Sequence, residues 1–364
     1  MNDAAFMRRA IELARLSEGL TRPNPPVGAV IVKQGRIIGE GRHRRAGLAH
    51  AEVNAFDACT ESAAGATVYV TLEPCSTTGR QPPCTERILR ERVARVVVAC
   101  DDPNPRHAGR AYDLLRENGI DVVTGICREE ALPLIEPFGR HVTAGRPFVT
   151  LKLALTLDGR IADRNRSSKW ITGPKARREV QEMRRRADAV LVGGGTVAID
   201  NPSLLYREAC AGEPDAGSNL LRVIVDTHGD LPEQANVLND AAAERTIVAR
   251  FEGKSSCTHG AARVWNFPPT DEGDFPLNAL LERLAQEENV MSILCEGGGH
   301  LAARLHEKKL VDEYALFYAP AILGDKAGLS GFAGTGFLLA DTPRLKWHDM
   351  RRLGDDLLLR IRPF

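Results

Sequence analysis

The sequence has no excess of charge of either sign, no long apolar run and no internal repeat. Lys plus Arg and Asp plus Glu each total 48 in 364 residues, so the formal net charge is zero. That balance argues against a general nucleic-acid binder, which shows a clear basic excess, yet it leaves room for a local basic pocket that takes a small phosphate ester. With no stretch of about 18 apolar residues, no helical membrane span is expected. The opening MNDAAFMRRAIELARLSEG lacks the continuous apolar core of a secretory signal. It reads instead as an amphipathic helix with Phe6, Ala10, Leu13 and Ala14 near one face. The expected compartment is therefore the reducing cytoplasm. Eight cysteines there point to metal or catalysis rather than to a disulfide scaffold. Low-complexity tracts are absent as well.

What is present is ordinary for a globular protein: 43% hydrophobic and 26% charged residues. The length exceeds what one core usually spans, so two domains are expected. Residues 1–145 alternate helix-like and strand-like segments. There is a hairpin from 29–32 and 36–38 around Gln34-Gly35, a helix over 50–59, buried strands at 68–72 and 96–99, and a helix over 85–91. A break at Ala144-Gly145-Arg146-Pro147 opens a second part, 146–364. It starts with an apolar strand at 148–155 and alternates again. Strands are expected at 189–192, 222–225, 291–294 and 314–318, and helices over 175–186 and about 301–307. The Gly-, Pro- and acid-rich stretch 208–219 reads as a surface loop. Both halves are thus α/β.

The strongest motif is His50-Ala51-Glu52, followed by Pro74-Cys75 and Cys84. Zinc prefers tetrahedral nitrogen and sulfur ligands, and a catalytic zinc keeps one position for water. One His and two Cys leave that position free. The metal lowers the pKa of its water, and Glu52 has the chemistry to carry the water proton to a ring nitrogen and a departing amine. His-x-Glu with Pro-Cys and a second Cys is the known pattern of zinc nucleobase deaminases. The second half departs from Cys-x-x-Cys, because eight residues separate Cys75 from Cys84. Read alone, two such cysteines are equally well unrelated core thiols; the upstream His-x-Glu and Pro74 favour metal. For Cys59, Cys100, Cys127, Cys210, Cys257 and Cys295 packing is the better reading. His43 is left outside the ligand set.

In the second half two glycine clusters follow apolar runs: Gly193-Gly194-Gly195-Thr196 and Gly297-Gly298-Gly299. Glycine there permits φ > 0 and close approach of a ligand to the backbone, and a helix after Gly299 aims free N–H groups at a phosphate. Each cluster satisfies Gly-x-Gly-x-x-Ala, through Ala198 and Ala302, but neither has a clear acidic strand end about 20 residues on. A nucleotide site without a standard Rossmann domain is expected. Arg184 and Arg207 have the chemistry to clamp a phosphate, but the arginines at 177, 178, 184, 185 and 186 also read as a solvated helix face, which is the better reading for most of them.

The insert Ser76-Thr77-Thr78-Gly79-Arg80-Gln81-Pro82-Pro83-Cys84 resembles that of the riboflavin-biosynthesis deaminases. So do Thr21-Arg22-Pro23-Asn24-Pro25-Pro26-Val27-Gly28, Gly41-Arg42-His43-Arg44-Arg45-Ala46-Gly47 and Asp102-Pro103-Asn104-Pro105. In the second half Lys152 to Ala162, Ser168-Lys169-Trp170-Ile171-Thr172, Arg184, Gly195-Thr196-Val197 and Asp200-Asn201-Pro202 continue the likeness. The sequence is thereby identified as a member of the family of bifunctional diaminohydroxyphosphoribosylaminopyrimidine deaminases and 5-amino-6-(5-phosphoribosylamino)uracil reductases. The resemblance implies a cytidine-deaminase-like α/β/α domain followed by a domain like dihydrofolate reductase. It implies Zn2+ on His50, Cys75 and Cys84, with Glu52 as proton shuttle, and Asn24, Arg80 and Asn104 on the pyrimidine ribotide. It further implies an NADPH site lined by Ala154, Trp170, Thr196, Asp200 and the run Gly297, Gly298, Gly299, His300, Leu301, Ala302, Ala303. Ser168, Arg184, Leu204, Arg207 and Glu296 would contact the reductase substrate, with Lys152 and Asp158 as further candidates. A dimer or tetramer is implied too. Thr77-Thr78 departs from the family, which often carries His there.

Residue chemistry leaves alternatives open. Asn24 and Asn104 sit between prolines, where Asn also serves turns, and Asp200-Asn201-Pro202 reads equally as a turn. A tRNA-type base deaminase shares the zinc motif, but not the neutral charge or the long Cys75–Cys84 loop. A zinc-stabilised binding module would need a fourth ligand, with His43 as the candidate. A silent second domain is the remaining alternative.

Overall fold

The computed structural model describes residues 3–78, 81–105, 107–207, 219–253 and 260–364. Arg80, Cys210, Cys257 and most of the expected 208–219 loop lie outside the described residues. The chain divides into two compact units, Met1–Pro147 with Asn289–Met291, and Phe148–Glu288 with Ser292–Phe364.

The first unit runs α1 (Asp3–Arg15), β1 (Gly28–Lys33), β2 (Arg36–Arg42), α2 (Ala51–Asp57), β3 (Thr67–Leu72), α3 (Cys84–Arg90), β4 (Arg95–Cys100), α4 (Arg110–Glu117), β5 (Asp121–Thr124) and α5 (Arg128–Ala144). Its sheet has the order β2-β1-β3-β4-β5. β1 is antiparallel to β2 and β3, while β3, β4 and β5 are parallel. Alternation along the strands explains the layering. Ala29, Ile31, Val68, Val70, Val96 and Val98 face the cluster that holds Ala51, Ala55, Phe56, Ile88 and Leu115 from α2, α3 and α4. Val30, Val32, Tyr69, Val97 and Ala99 face Phe6, Met7, Ala10 and Ile11 of α1 and Leu134 and Ile135 of α5. Burial of each large apolar side chain contributes roughly 1.5–3 kcal/mol.

The second unit runs β6 (Phe148–Leu155), β7 (Arg160–Ala162), α6 (Pro174–Arg186), β8 (Ala189–Gly193), α7 (Gly194–Asp200), β9 (Leu221–Val225), α8 (Asn236–Asn239), β10 (Thr246–Phe251), β11 (Arg263–Phe267), α9 (Leu277–Glu288), β12 (Ser292–Cys295), α10 (Gly299–Glu307), β13 (Glu313–Tyr318), β14 (Leu329–Ser330), β15 (Leu345–Leu353) and β16 (Asp356–Pro363). Nine strands form one sheet in the order β11-β10-β9-β8-β12-β6-β13-β16-β15. It is parallel from β11 to β13 and closes with the antiparallel pairs β13–β16 and β16–β15. β14 pairs with β7 as a separate ribbon. Helix α6 packs through Ala176, Val180 and Met183, and Arg184 lies on that same buried stripe. This takes Arg184 off any solvated face; Arg185 beside it is also largely covered, its side chain 11% exposed, while Arg178 is exposed.

Candidate active sites

Two glycines determine where α2 sits. A Cβ on Gly41 would lie 2.2 Å from Ala55 N and 2.3 Å from Ala51 O, and one on Gly39 would lie 2.3 Å from Ala55 O. Only glycine lets the helix lie this close to β2. The helix begins directly after His50, its N-cap, and carries Glu52 in its first turn. Cys75 follows β3 in a loop, and Cys84 is the first residue of α3. His50 Nδ1 lies 3.3 Å from Cys84 Sγ and 3.5 Å from Cys75 Sγ, and the Cys84 amide donates to Cys75 Sγ at 3.2 Å. The three donor atoms lie within 4.8 Å of one another. A nitrogen and a sulfur bound tetrahedrally to zinc at about 2.0 and 2.3 Å stand about 3.5 Å apart, so this donor set fits the metal.

The electrostatics agree. The hydrogen bond from Cys84 holds the Cys75 thiol down to about 4, aided by His50 and the Cys84 amide. Cys84, which shares that proton, is pushed up by the same bond and by burial. Glu52 is 4% exposed. Burial raises its carboxyl above the usual range, with the Cys75 charge adding to the effect. A carboxyl so shifted is suited to holding and returning a proton.

His43 is not a fourth ligand. It is buried, its Nδ1–H donates to Ala49 O at 3.1 Å, and its Nε2 accepts from Asn24 Nδ2 at 3.1 Å; burial pushes its pKa below the usual imidazole value. The tautomer is the one these two partners require. Both His43 and Asn54 bond Ala49 O, the carbonyl just before His50. Asn24 is thereby tied to the metal segment. Asn104 sits between β4 and α4, with its amide on Asp102 Oδ1 at 2.8 Å. No motif singles out Glu73, which is 5% exposed and accepts three main-chain amides, those of Asp102, Gly109 and Ala111.

The second unit contains a cleft of about 1670 Å³ at the C-terminal ends of its parallel strands. Its walls bring together Lys152, Ala154, Ser168, Trp170, Arg184, Thr196, Asp200, Leu204, Arg207, Glu296, Gly298, Gly299, His300 and Leu301. Gly297, Ala302, Ala303 and Asp158 are not on those walls. Ala302 and Ala303 are buried in α10. Asp158 instead accepts Thr156 Oγ1 at 2.7 Å and the amides of Leu323 and Gly324, so it ties two loops together. The two glycine clusters behave differently. Gly297 and Gly298 both have φ of 90°, which a side chain disfavours, and a Cβ on Gly299 would lie 2.3 Å from Ser330 O. Gly193, Gly194 and Gly195 are not left-handed, and Cβ atoms on Gly193 and Gly195 would meet open space. Glycine at those two positions therefore leaves the mouth of β8 open and relieves no strain.

Arg184 and Glu296 form a buried pair, with Nη2 to Oε2 at 2.9 Å, while Arg184 Nη1 donates to Leu205 O at 3.1 Å. Burial opposes the Glu296 charge, but the guanidinium outweighs it and holds the carboxyl below its usual range. Trp170 is 69% exposed at the cleft, with Arg177 4.6 Å from its ring centroid. Ser168 Oγ donates to Asp200 Oδ1 at 3.1 Å. Leu204 adopts φ of 55°. The preceding carbonyl, Ser203 O, accepts from Arg222, a fully buried arginine in β9 that also pairs with Asp240. Its only trace in the sequence is a charge inside the apolar run Leu221-Arg222-Val223-Ile224-Val225.

Comparison with known proteins agrees with this two-part construction. Residues 1–100 match the cytidine and deoxycytidylate deaminase zinc-binding region, and residues 147–359 match the RibD C-terminal domain. The riboflavin biosynthesis protein RibD of Bacillus amyloliquefaciens is 41% identical over 98% of this chain and 95% of its own. That of Escherichia coli K12 is 39% identical over 99% of both. Among solved structures, RibD of Acinetobacter baumannii (form 1) superposes with a TM-score of 0.88 at 37% identity, covering 100% of this chain and 99% of that one. The diaminohydroxyphosphoribosylaminopyrimidine deaminase/5-amino-6-(5-phosphoribosylamino)uracil reductase of Thermotoga maritima does so with a TM-score of 0.87 at 39% identity and the same coverage. The chain belongs to the RibD family of riboflavin-biosynthesis proteins, in which a zinc-binding deaminase domain precedes a reductase domain.

Proposed function

We propose that the first unit, with one zinc ion per chain on His50, Cys75 and Cys84, deaminates 2,5-diamino-6-(5-phosphoribosylamino)pyrimidin-4(3H)-one. The second unit then reduces the ribosyl group of the resulting 5-amino-6-(5-phosphoribosylamino)uracil with NADPH. The observation that carries the first step is the nitrogen and sulfur triad beside a buried Glu52. When bound, zinc supplies the Lewis acidity that makes a water nucleophilic near neutral pH. Glu52 would carry one proton from the attacking water to the ring nitrogen and then the proton of the new hydroxyl group to the amine, so that the C–N bond breaks and ammonia departs as the carbonyl forms. Asn24, its amide oriented by His43, and Asn104 bind the ring edge. Arg80 pairs with the ribotide phosphate.

For the second step the support is the single cleft that gathers Lys152, Arg184, Thr196 and Glu296. When bound, NADPH would supply a hydride to ribose C1 of the open-chain imine, whose nitrogen takes a proton from solvent to give the ribityl amine. The protein positions the partners rather than attacking either one. Ala154, Trp170, Thr196, Asp200 and the α10 N-terminus hold the dinucleotide. Ser168, Leu204, Arg207 and the Arg184–Glu296 pair hold the ribotide. We further infer a homodimer or homotetramer in the cytoplasm.

The test is Glu52→Gln in zinc-loaded protein. The variant is expected to release no ammonia from the diaminopyrimidine ribotide while still oxidising NADPH with pre-deaminated substrate. Ammonia release at the wild-type rate would remove Glu52 from the reaction.

A further inference from the structure

Glu73 directly follows β3 and stands two residues before Cys75. It is 5% exposed, and its carboxylate bonds are spent on one neighbouring segment. Oε2 accepts the amides of Asp102 at 3.2 Å and Gly109 at 3.0 Å, and Oε1 accepts that of Ala111 at 3.2 Å. The β3–β4 ladder does not need this carboxylate, because Leu72 already pairs with Cys100 and the Glu73 amide bonds Cys100 O. A charged group is costly to bury unless fully bonded. Here the bonds fix the stretch that leads from β4 into α4. That stretch carries Asn104. It also carries His107, whose Nδ1 lies 3.4 Å from Oγ1 of Thr77 in the Cys75 loop.

We propose that Glu73 is a positioning residue for the deamination. It holds the Asn104 and His107 stretch in register with the metal ligands, so that the ribotide is gripped from that stretch while its amino-bearing carbon lies at the metal. This rests on the deaminase reading above. The sequence places Glu73 beside a ligand, and the fold converts that adjacency into a link between the metal loop and the substrate loop.

The test compares Glu73→Gln and Glu73→Asp with wild type in zinc content, deaminase kcat and KM for the diaminopyrimidine ribotide, and reductase activity on pre-deaminated substrate. In Glu73→Gln one oxygen becomes an NH2 that faces amide donors. The expected result is full zinc occupancy and intact reductase activity, with KM raised about tenfold or more and kcat changed less than about threefold. Glu73→Asp, with its charge kept but its reach shortened, falls between. A KM equal to wild type overturns the proposal. So does loss of zinc from both variants, which would make Glu73 a support of the metal loop alone. Wild-type protein that fails to deaminate the ribotide would instead contradict the deaminase reading itself, a result distinct from either.

Discussion

Arg184 and Glu296 are 112 residues apart in the chain and meet with side chains only 9% and 10% exposed. Removing one partner of such a pair strands the other charge, at a cost of about 3–5 kcal/mol. Arg184→Met is therefore expected to lower the urea midpoint of the reductase unit and to abolish reduction. Arg184→Met with Glu296→Met is expected to recover stability without activity, because the ribotide contacts are gone. The pair also fixes a pH response. The folded pKa of Glu296 lies below its ordinary value. Its contribution to stability is thus fully present above the unfolded value, near 4.3, and is lost as pH falls through the lower folded value. The gap between the urea midpoints of wild type and Glu296→Gln should begin to narrow as pH falls below the unfolded value, about 4.3, and should close only below the lower folded value; a constant gap would contradict this. Cys84 lies outside the usual Cys-x-x-Cys spacing and was read from its context, whereas His50, Glu52 and Cys75 were legible because His-x-Glu and Pro-Cys are themselves the motif. Glu73 was not, because its partners lie 29, 36 and 38 residues away and are backbone amides, which no side-chain pattern reports. His43 was legible as a member of a familiar segment, but not as the link from Asn24 to the carbonyl before His50.

Among elements, α2 depends closely on its surroundings, because its seat on β2 is made of glycine. A methyl group on Gly41 would meet the backbone of Ala51 and Ala55, which cannot swing aside as a side chain can. Gly41→Ala is expected to push α2 off the sheet, displace His50 and Glu52, lower zinc content and cost about 1–3 kcal/mol or more. Zinc analysis of the purified variant checks this, and full occupancy would mean that the helix tolerates the shift. Element identity was readable wherever apolar period was clear, as in β3, β4, β8, β12 and the buried stripe of α6. It was not readable in α5, where Pro133 and Pro137 interrupt a helix that the packing of Leu134 and Ile135 nevertheless holds. The edge strand β15 was also missed, because its mostly exposed residues show no alternation that a core would impose.

At the scale of the whole molecule, each half owns its site. The metal ligands lie within the first unit and the cleft residues within the second. The expectation of a break at 144–147 comes from Gly145 and Pro147, which in the structure follow α5 just before the apolar strand β6. The nine-stranded order of the second sheet was not readable, since parallel neighbours are chosen by long crossovers rather than by adjacent sequence. Chelation of zinc is accordingly expected to abolish ammonia release and leave NADPH oxidation with pre-deaminated substrate unchanged. A parallel loss of both would mean that the metal supports more than its own unit.

The most direct test of the two-step account follows ammonia release and NADPH oxidation together in one reaction. It uses zinc-loaded wild-type protein and the diaminopyrimidine ribotide. The account predicts equal final amounts of ammonia and oxidised NADPH, with ammonia appearing first. Ammonia without oxidation, or oxidation that precedes ammonia, would contradict it.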